Sequence, residues 1–192
     1  LQIVEGNRGL FDGFNGTTEE GSTAHLARTL GLQIVLVLNA SNCTNTCAAI
    51  AQSIKSYDPQ IKIAGVILNF VRNDKHKKHL MDSMAKANLR VFGCIPLEDN
   101  LHIDQDLDHL LRSPDFGLTR KVIEKLTETG ACNFDLEGLG KLEYVNTYVP
   151  SSKNILVPVE GRPVIAVARD QAFNFYFQEN LDILASLGAQ VV

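Results

Sequence analysis

Glu5 and Asp12 stand seven positions apart in a glycine-rich stretch, Ile3-Val4-Glu5-Gly6 followed by Gly9-Leu10-Phe11-Asp12-Gly13, and Gly21-Ser22-Thr23-Ala24-His25-Leu26-Ala27 comes soon after. Leu1, Ile3 and Val4 read as a buried strand that ends on the Glu5 carboxylate. Ligands of open α/β sheets bind beyond the carboxyl ends of the strands. A glutamate there, among glycines that let the backbone come close, can hold a metal ion or a polar substrate group. An exposed acid opening a glycine-rich turn is the plainer reading. Ser22 and Thr23 head a helix, where free backbone N–H groups favour an anion; they serve equally well as its N-cap.

The elements that must carry these residues are legible in the hydropathy pattern. Residues 6–20 form a loop without periodicity, and a helix with Ala24, Leu26, Ala27 and Leu30 on its inner face stops at Gly31. The apolar run 33–38 has the signature of a strand buried on both faces of a parallel sheet, and it ends on the polar turn Asn39-Ala40-Ser41-Asn42. A helix bearing Ala48, Ile50, Ala51 and Ile54 runs to Tyr57-Asp58-Pro59. A strand over 61–68 ends on Asn69, a helix covers 75–87, and a strand over 90–95 is closed by Pro96. Strand and helix alternate with short connections, which predicts α/β class and a doubly wound, mostly parallel sheet. Residues 98–145 change to amphipathic pieces (Asp104–Leu111, Leu118–Thr129, Leu136–Tyr144) that read as helical closure. Residues 146–162 read as a linker. A buried strand at 164–168, an aromatic loop and a helix to Gly188 then open a second α/β domain.

Composition narrows the function classes. A net charge of −4, 45% hydrophobic and 21% charged residues are ordinary for a globular protein. The basic cluster Lys75, Lys77, Lys78, beside His76 and His79, is too narrow for a nucleic-acid footprint and reads as a solvated helix face. No apolar run approaches a membrane span. Cys43, Cys47, Cys94 and Cys132 form no Cys-x-x-Cys pair. Cys43 and Cys47, one helical turn apart, have the spacing to share a soft metal, but small buried or half-buried thiols are the commoner outcome, in keeping with a reducing cytosol.

The order and spacing of several motifs carry a resemblance. The stretches around Glu5, Asp12 and Ser22, then Ala64-Gly65-Val66-Ile67-Leu68-Asn69, then Ile165-Ala166-Val167-Ala168-Arg169-Asp170-Gln171-Ala172-Phe173-Asn174-Phe175-Tyr176 with Glu179-Asn180-Leu181 and Leu187-Gly188-Ala189 resemble the cobyrinic acid a,c-diamide synthase family. The resemblance covers most of the chain and is weakest at 98–160. It implies amidation of the a and c side-chain carboxylates of a corrin precursor, with ATP, Mg²⁺ and glutamine, by a dethiobiotin synthetase-like ATP-binding domain joined to a class I-type glutamine amidotransferase domain. On this chain it implies domains at 1–145 and 163–192 with the linker 146–162 between. Glu5 becomes the Mg²⁺-associated acid beside the nucleotide phosphates, and Asp12 lies near the substrate carboxylate or its acyl-phosphate. Asn69 hydrogen-bonds adenine, for which an amide offers both donor and acceptor; without the resemblance it is a strand-ending turn residue. Ser22 and Thr23 join the nucleotide site, and His76 matches a family position while fitting a structural role. The implied partners are cobyrinic acid or a related tetrapyrrole, ATP and glutamine, in the cytoplasm, with no nucleic acid and no membrane, and a homodimer as one admissible assembly.

The chain departs from the family in places. Asn39 stands where the family has Asp, and Leu107-Asp108-His109-Leu110-Leu111 where it has an Arg-His-Leu-Gly-Leu-like segment. The family's phosphate-binding glycine-rich loop falls upstream of position 1 and its amidotransferase Cys and His fall beyond Val192. The chain therefore reads as a piece of a longer protein, inactive by itself. Competing readings are amidation of another tetrapyrrole such as nickel-sirohydrochlorin, a nucleotide-dependent switch like the chromosome-partitioning ATPases, and a remnant that binds nothing strongly.

Overall fold

The computed structural model describes residues 3–6, 9–97, 116–142, 160–170, 173 and 176–192. The chain divides into two units, Leu1–His102 with Glu124–Val149, and Ile103–Ile123 with Pro150–Val192.

In the first unit the elements run α1 (Thr23–Leu30), β1 (Gln33–Asn39), α2 (Asn45–Tyr57), β2 (Lys62–Val71), α3 (Asp74–Lys86) and β3 (Val91–Pro96). The strands form one parallel sheet in the order β1-β2-β3, the α/β architecture that the alternating pattern predicts. The fully buried Val66 and Leu68 of the central strand face a core to which α2 contributes Cys47, Ala48 and Ala51 and α3 contributes Leu80 and Met84. The three-to-four-residue spacing of these positions gives each helix one buried face. Local chemistry sets the ends. Ser22 caps α1 by accepting from the His25 N–H at 3.1 Å, and Gly31 closes it at a φ of 66° that glycine adopts without cost. Asn73 caps α3 by accepting from the His76 N–H at 2.9 Å.

Helix α4 (Phe116–Asn133) leads into the short α5 (Leu136–Gly140), whose corner seals the β3 edge. Phe134 bridges to Gly93, and the Asp135 N–H donates to the Phe92 carbonyl at 2.7 Å. Arg90 lies over the Phe92 ring, 4.5 Å from its centre, and pairs with Asp135 at 2.9 Å. Gly65 of β2 sits where a Cβ would overlap the Arg90 carbonyl oxygen and the Phe92 ring. In the second unit β4 (Val164–Ile165) pairs in parallel with β5 (Gln190–Val191), and α6 (Gln178–Ser186) connects them.

Several sequence expectations change. Ile3 and Val4 are 83% and 54% exposed and carry no strand, because no described strand pairs with them; Leu1 lies outside the described residues. β1 is buried on alternate positions rather than throughout, with Val37 at 64% exposure. It pairs with β2 alone among the described strands, so no second described strand lies along its other edge. The 164–168 run narrows to Val164–Ile165 and stays partly exposed, since its sheet has two strands. Cys43 and Cys47 are joined by a disulfide and are not thiols. The helical piece 104–111, the end of the 136–144 piece and nearly all of the 146–162 linker lie outside the described residues.

Two outcomes follow from this packing. Gly65→Ala forces the Arg90 carbonyl and Phe92 apart and should lower the stability of the first unit by about 1–3 kcal/mol, as overpacking does; urea denaturation of the variant checks it. The Asp135 carboxyl is held below its ordinary range, first by the Gly138 N–H and then by Arg90. A lowered folded-state pKa gives stability that is present above the unfolded value of about 3.9 and lost as pH falls through the folded value. The Gly138 amide resonance should therefore titrate with a midpoint below that of an exposed aspartate, and a midpoint at or above it would refute the assignment.

Candidate functional site

The carboxyl ends of β1 and β2 meet at two asparagines, Asn39 and Asn69, paired in register across the ladder. The ladder continues one step further, the Ala40 N–H donating to the Asn69 carbonyl at 2.8 Å. Neighbouring in-register residues of parallel strands project to the same face, so the two side chains share one side of the sheet edge. Each amide is oriented by its own backbone. Asn39 Oδ1 accepts from the Ser41 N–H at 3.0 Å, and Asn69 Oδ1 accepts from the Phe70 N–H at 2.9 Å. A backbone N–H can be accepted only by the amide oxygen, so both NH₂ groups are left to donate.

Beyond Asn69 the chain does something the sequence does not announce. Phe70 adopts a φ of 63°, and the β2–β3 register shifts between Leu68 and Val71. Left-handed backbone at a bulky residue costs on the order of 1–3 kcal/mol and collects at ligand-binding edges. No glycine or asparagine marks the position, so residue type gives no signal for it.

The stretch that carries Glu5 and Asp12 is organised around α1. Gly6 lies against Thr23, where a Cβ would overlap the hydroxyl, and the Ala24 N–H donates to the Leu10 carbonyl at 2.9 Å. Gly9 leaves room for the Asp12 carboxylate, and the Asp12 N–H closes the turn on the Gly9 carbonyl at 3.0 Å. Both acids are exposed. Ser22 is 2% exposed and its hydroxyl is engaged in the α1 cap, while Thr23 is half-buried beside Gly6. Glu5, Asp12, Ser22 and Thr23 are thus brought into one neighbourhood.

Phe11, next to Asp12, packs on Tyr57 at 4.6 Å between ring centres, and Tyr57 ends α2, at the amino-end side of the strands. The far side of this loop is clamped by Arg28, which reaches Glu19 at 2.7 Å and also pairs with Asp58. The two carboxylates raise the guanidinium pKa above its ordinary value, the Glu19 hydrogen bond contributing most. Helix α2 spans the sheet between Tyr57 and the Asn39 end, about 20 Å at 1.5 Å per residue for its 13 residues.

His76 is a member of the carboxyl-end site that the basic helix pattern conceals. Lys75, Lys77, Lys78 and His79 are exposed as a solvated face should be, but His76 is buried. Its Nδ1 accepts from the Arg72 N–H at 3.2 Å and its Nε2 lies 2.9 Å from the Cys43 carbonyl. Burial pushes the Cys94 thiol pKa up, which leaves it a poor nucleophile.

Among the described residues no three His, Cys, Asp or Glu side chains are grouped as a metal cage requires. Glu5 stands among them as a single exposed carboxylate. No helix among the described residues is long and apolar enough to cross a membrane.

The AAA domain family matches residues 2–104. Over its whole length the chain is similar to proteins named cobyrinate a,c-diamide synthase. It is 36% identical to that of Synechococcus sp., over 99% of this chain and 42% of the relative. It is 34% identical to that of Gloeobacter violaceus, over 98% and 42%, and 32% identical to that of Methanosarcina acetivorans, over 100% and 41%. The chain thus spans about two-fifths of the length of these curated relatives. No solved structure gives a significant match. The relatives are those that the motif resemblance implies, and, with more than half of its residues under the family match, the chain belongs to the AAA domain family.

Proposed function

We propose that this chain is part of an ATP- and glutamine-dependent amidoligase that converts the a and c side-chain carboxylates of cobyrinic acid to amides. The observation that carries this reading is the end-to-end similarity to cobyrinate a,c-diamide synthases. The paired amide donors of Asn39 and Asn69 at the carboxyl end of the sheet support it, because a strand-end donor edge suits the acceptors of a nucleobase.

A carboxylate resists attack by ammonia. ATP phosphorylates it, and ammonia then displaces phosphate from the acyl-phosphate. In this reading Asn69 holds adenine, the α1 start at Ser22 and Thr23 favours an anionic group of the ligand, and Asp12 lies on the substrate side. Glu5 would hold Mg²⁺, which neutralises phosphate charge during the transfer. The likeness to the relatives supports the roles of Glu5 and Asp12. The asparagine geometry supports that of Asn69. Residues 1–145 form the ATP-binding part and 163–192 begin the glutamine-using part, so the chain alone is inactive and the whole protein works in the cytoplasm, where a homodimer is an admissible assembly.

The test uses the full-length protein with cobyrinic acid, ATP and glutamine. Mass spectrometry should show the small decrease of replacing hydroxyl by amino at two carboxylates, and nickel-sirohydrochlorin in place of cobyrinic acid should give none. Absence of any amide product would overturn the reading. Glu5→Ala should lower kcat/KM about 100-fold, the scale of a few kcal/mol of charge stabilisation. Asn69→Ala should raise the KM for ATP about tenfold with kcat little changed, the loss of one hydrogen bond. Normal amidation by Glu5→Ala would remove the Mg²⁺ assignment.

A further inference from the structure

Among the described residues the buried polar side chains are Ser22, His76 and Ser83. Ser22 is spent on the α1 cap. The other two both lie on α3, and both reach the segment that follows β1. Ser83 Oγ donates to Asn45 Oδ1 at 2.6 Å, and His76 Nε2 meets the Cys43 carbonyl at 2.9 Å. Burying a polar group costs free energy unless it is hydrogen-bonded, so a helix that buries two of them at one target is built to hold that target.

The target is the connection that fixes Asn39. The Cys43 N–H donates to the Ala40 carbonyl at 3.3 Å, and the Ser41 N–H orients the Asn39 amide. The Cys43–Cys47 disulfide ties this segment to its own helix α2. Beyond α2 it is held at its start by the Ala40 N–H on the Asn69 carbonyl and further along by the contacts from α3. The other ring nitrogen of His76 accepts from the Arg72 N–H, and the His76 backbone is capped by Asn73. Both residues belong to the Arg72–Asn73 connection that follows the end of β2, where the Phe70 N–H orients the Asn69 amide. One imidazole therefore stands between the two connections, and each connection sets the direction of one asparagine.

We propose that His76 is a positioning residue that keys the β1–α2 and β2–α3 connections together so that Asn39 and Asn69 present their amide donors jointly to one ligand. This rests on the reading of that edge as a nucleotide site. The ring does so as the neutral tautomer with its proton on Nε2, since Nδ1 accepts and Nε2 donates. Asn39, on this account, reads the same ligand as Asn69.

The test is made on the full-length protein with ATP as the probe. His76→Ala should weaken ATP binding about tenfold, a loss equivalent to one well-placed hydrogen bond. His76→Gln has both a donor for the Cys43 carbonyl and an acceptor for the Arg72 N–H, and should stay within about threefold of the parent affinity. Leu80→Val, on the same helix and fully buried, is the stability control and should bind ATP as the parent does. Independently of ATP, ring nitrogen chemical shifts should show an unprotonated Nδ1 and a protonated Nε2, and His76→Ala should speed hydrogen exchange at the Ser41 and Phe70 amides while Leu80→Val does not. The proposal is overturned if His76→Ala binds ATP like the parent, if Leu80→Val weakens binding as much as His76→Ala, or if the ring carries its proton on Nδ1. If the parent itself binds no ATP, the nucleotide reading fails, and the ring shifts and amide exchange still decide whether the connections are keyed.

Discussion

The register of the β1–β2 ladder is the constraint on which the rest of the first unit depends, because pairing Asn39 with Asn69 decides which side chains stand together where the strands end. A slip of one residue would turn every side chain of β1 to the other face and separate the two amides. The ladder is held by the apolar middle of β2, where Val66 and Leu68 are fully buried under α2 and α3. It is limited on the other side by Gly65, whose bare backbone lets β3 approach. Core packing and site geometry are thus one arrangement seen from two ends of the strand.

The polar chemistry lies at the margins of that arrangement. The carboxyl end carries oriented amides, a left-handed Phe70 and a buried imidazole. The loop bearing Glu5 and Asp12 is instead tied to α1 and clamped by Arg28 between Glu19 and Asp58. Two acids on a flexible glycine stretch would cover many conformations. The ion pairs and the Leu10–Ala24 hydrogen bond restrict them to a few.

Apolar runs made β1, β2 and β3 legible in the sequence, since a strand covered by helices leaves a continuous hydrophobic string. Helix ends were legible where a capping side chain or glycine stood, as at Ser22 and Gly31. What hydropathy could not show was polar burial. The hidden stripe of α3 is His76, Leu80, Ser83 and Met84, half of it polar, and it lies within a run rich in lysine that reads as solvated. Phe70 was illegible for a different reason, because backbone strain imposed by tertiary packing leaves no mark on residue type. The apolar Ile3 and Val4 promised a strand, but apolarity fixes what a segment prefers and not whether a neighbour is there to pair with it. Of the candidate site, Asn69 and the Glu5-to-Thr23 neighbourhood were visible in the sequence; the cooperation of Asn39, His76 and Ser83 required the fold.

The open side of β1 has a consequence for handling the molecule. The strand Gln33-Ile34-Val35-Leu36-Val37-Leu38-Asn39 holds no charge and no proline, and among the described strands it pairs with β2 alone. From Ile34 onward no second described strand covers its other edge, and it carries neither the lysine nor the proline with which exposed edges are ordinarily blunted, only a break in the β1–β2 register between Ile34 and Val35. An extended apolar segment of a second molecule can add to such an edge, so the 192-residue chain is expected to self-associate as its concentration rises.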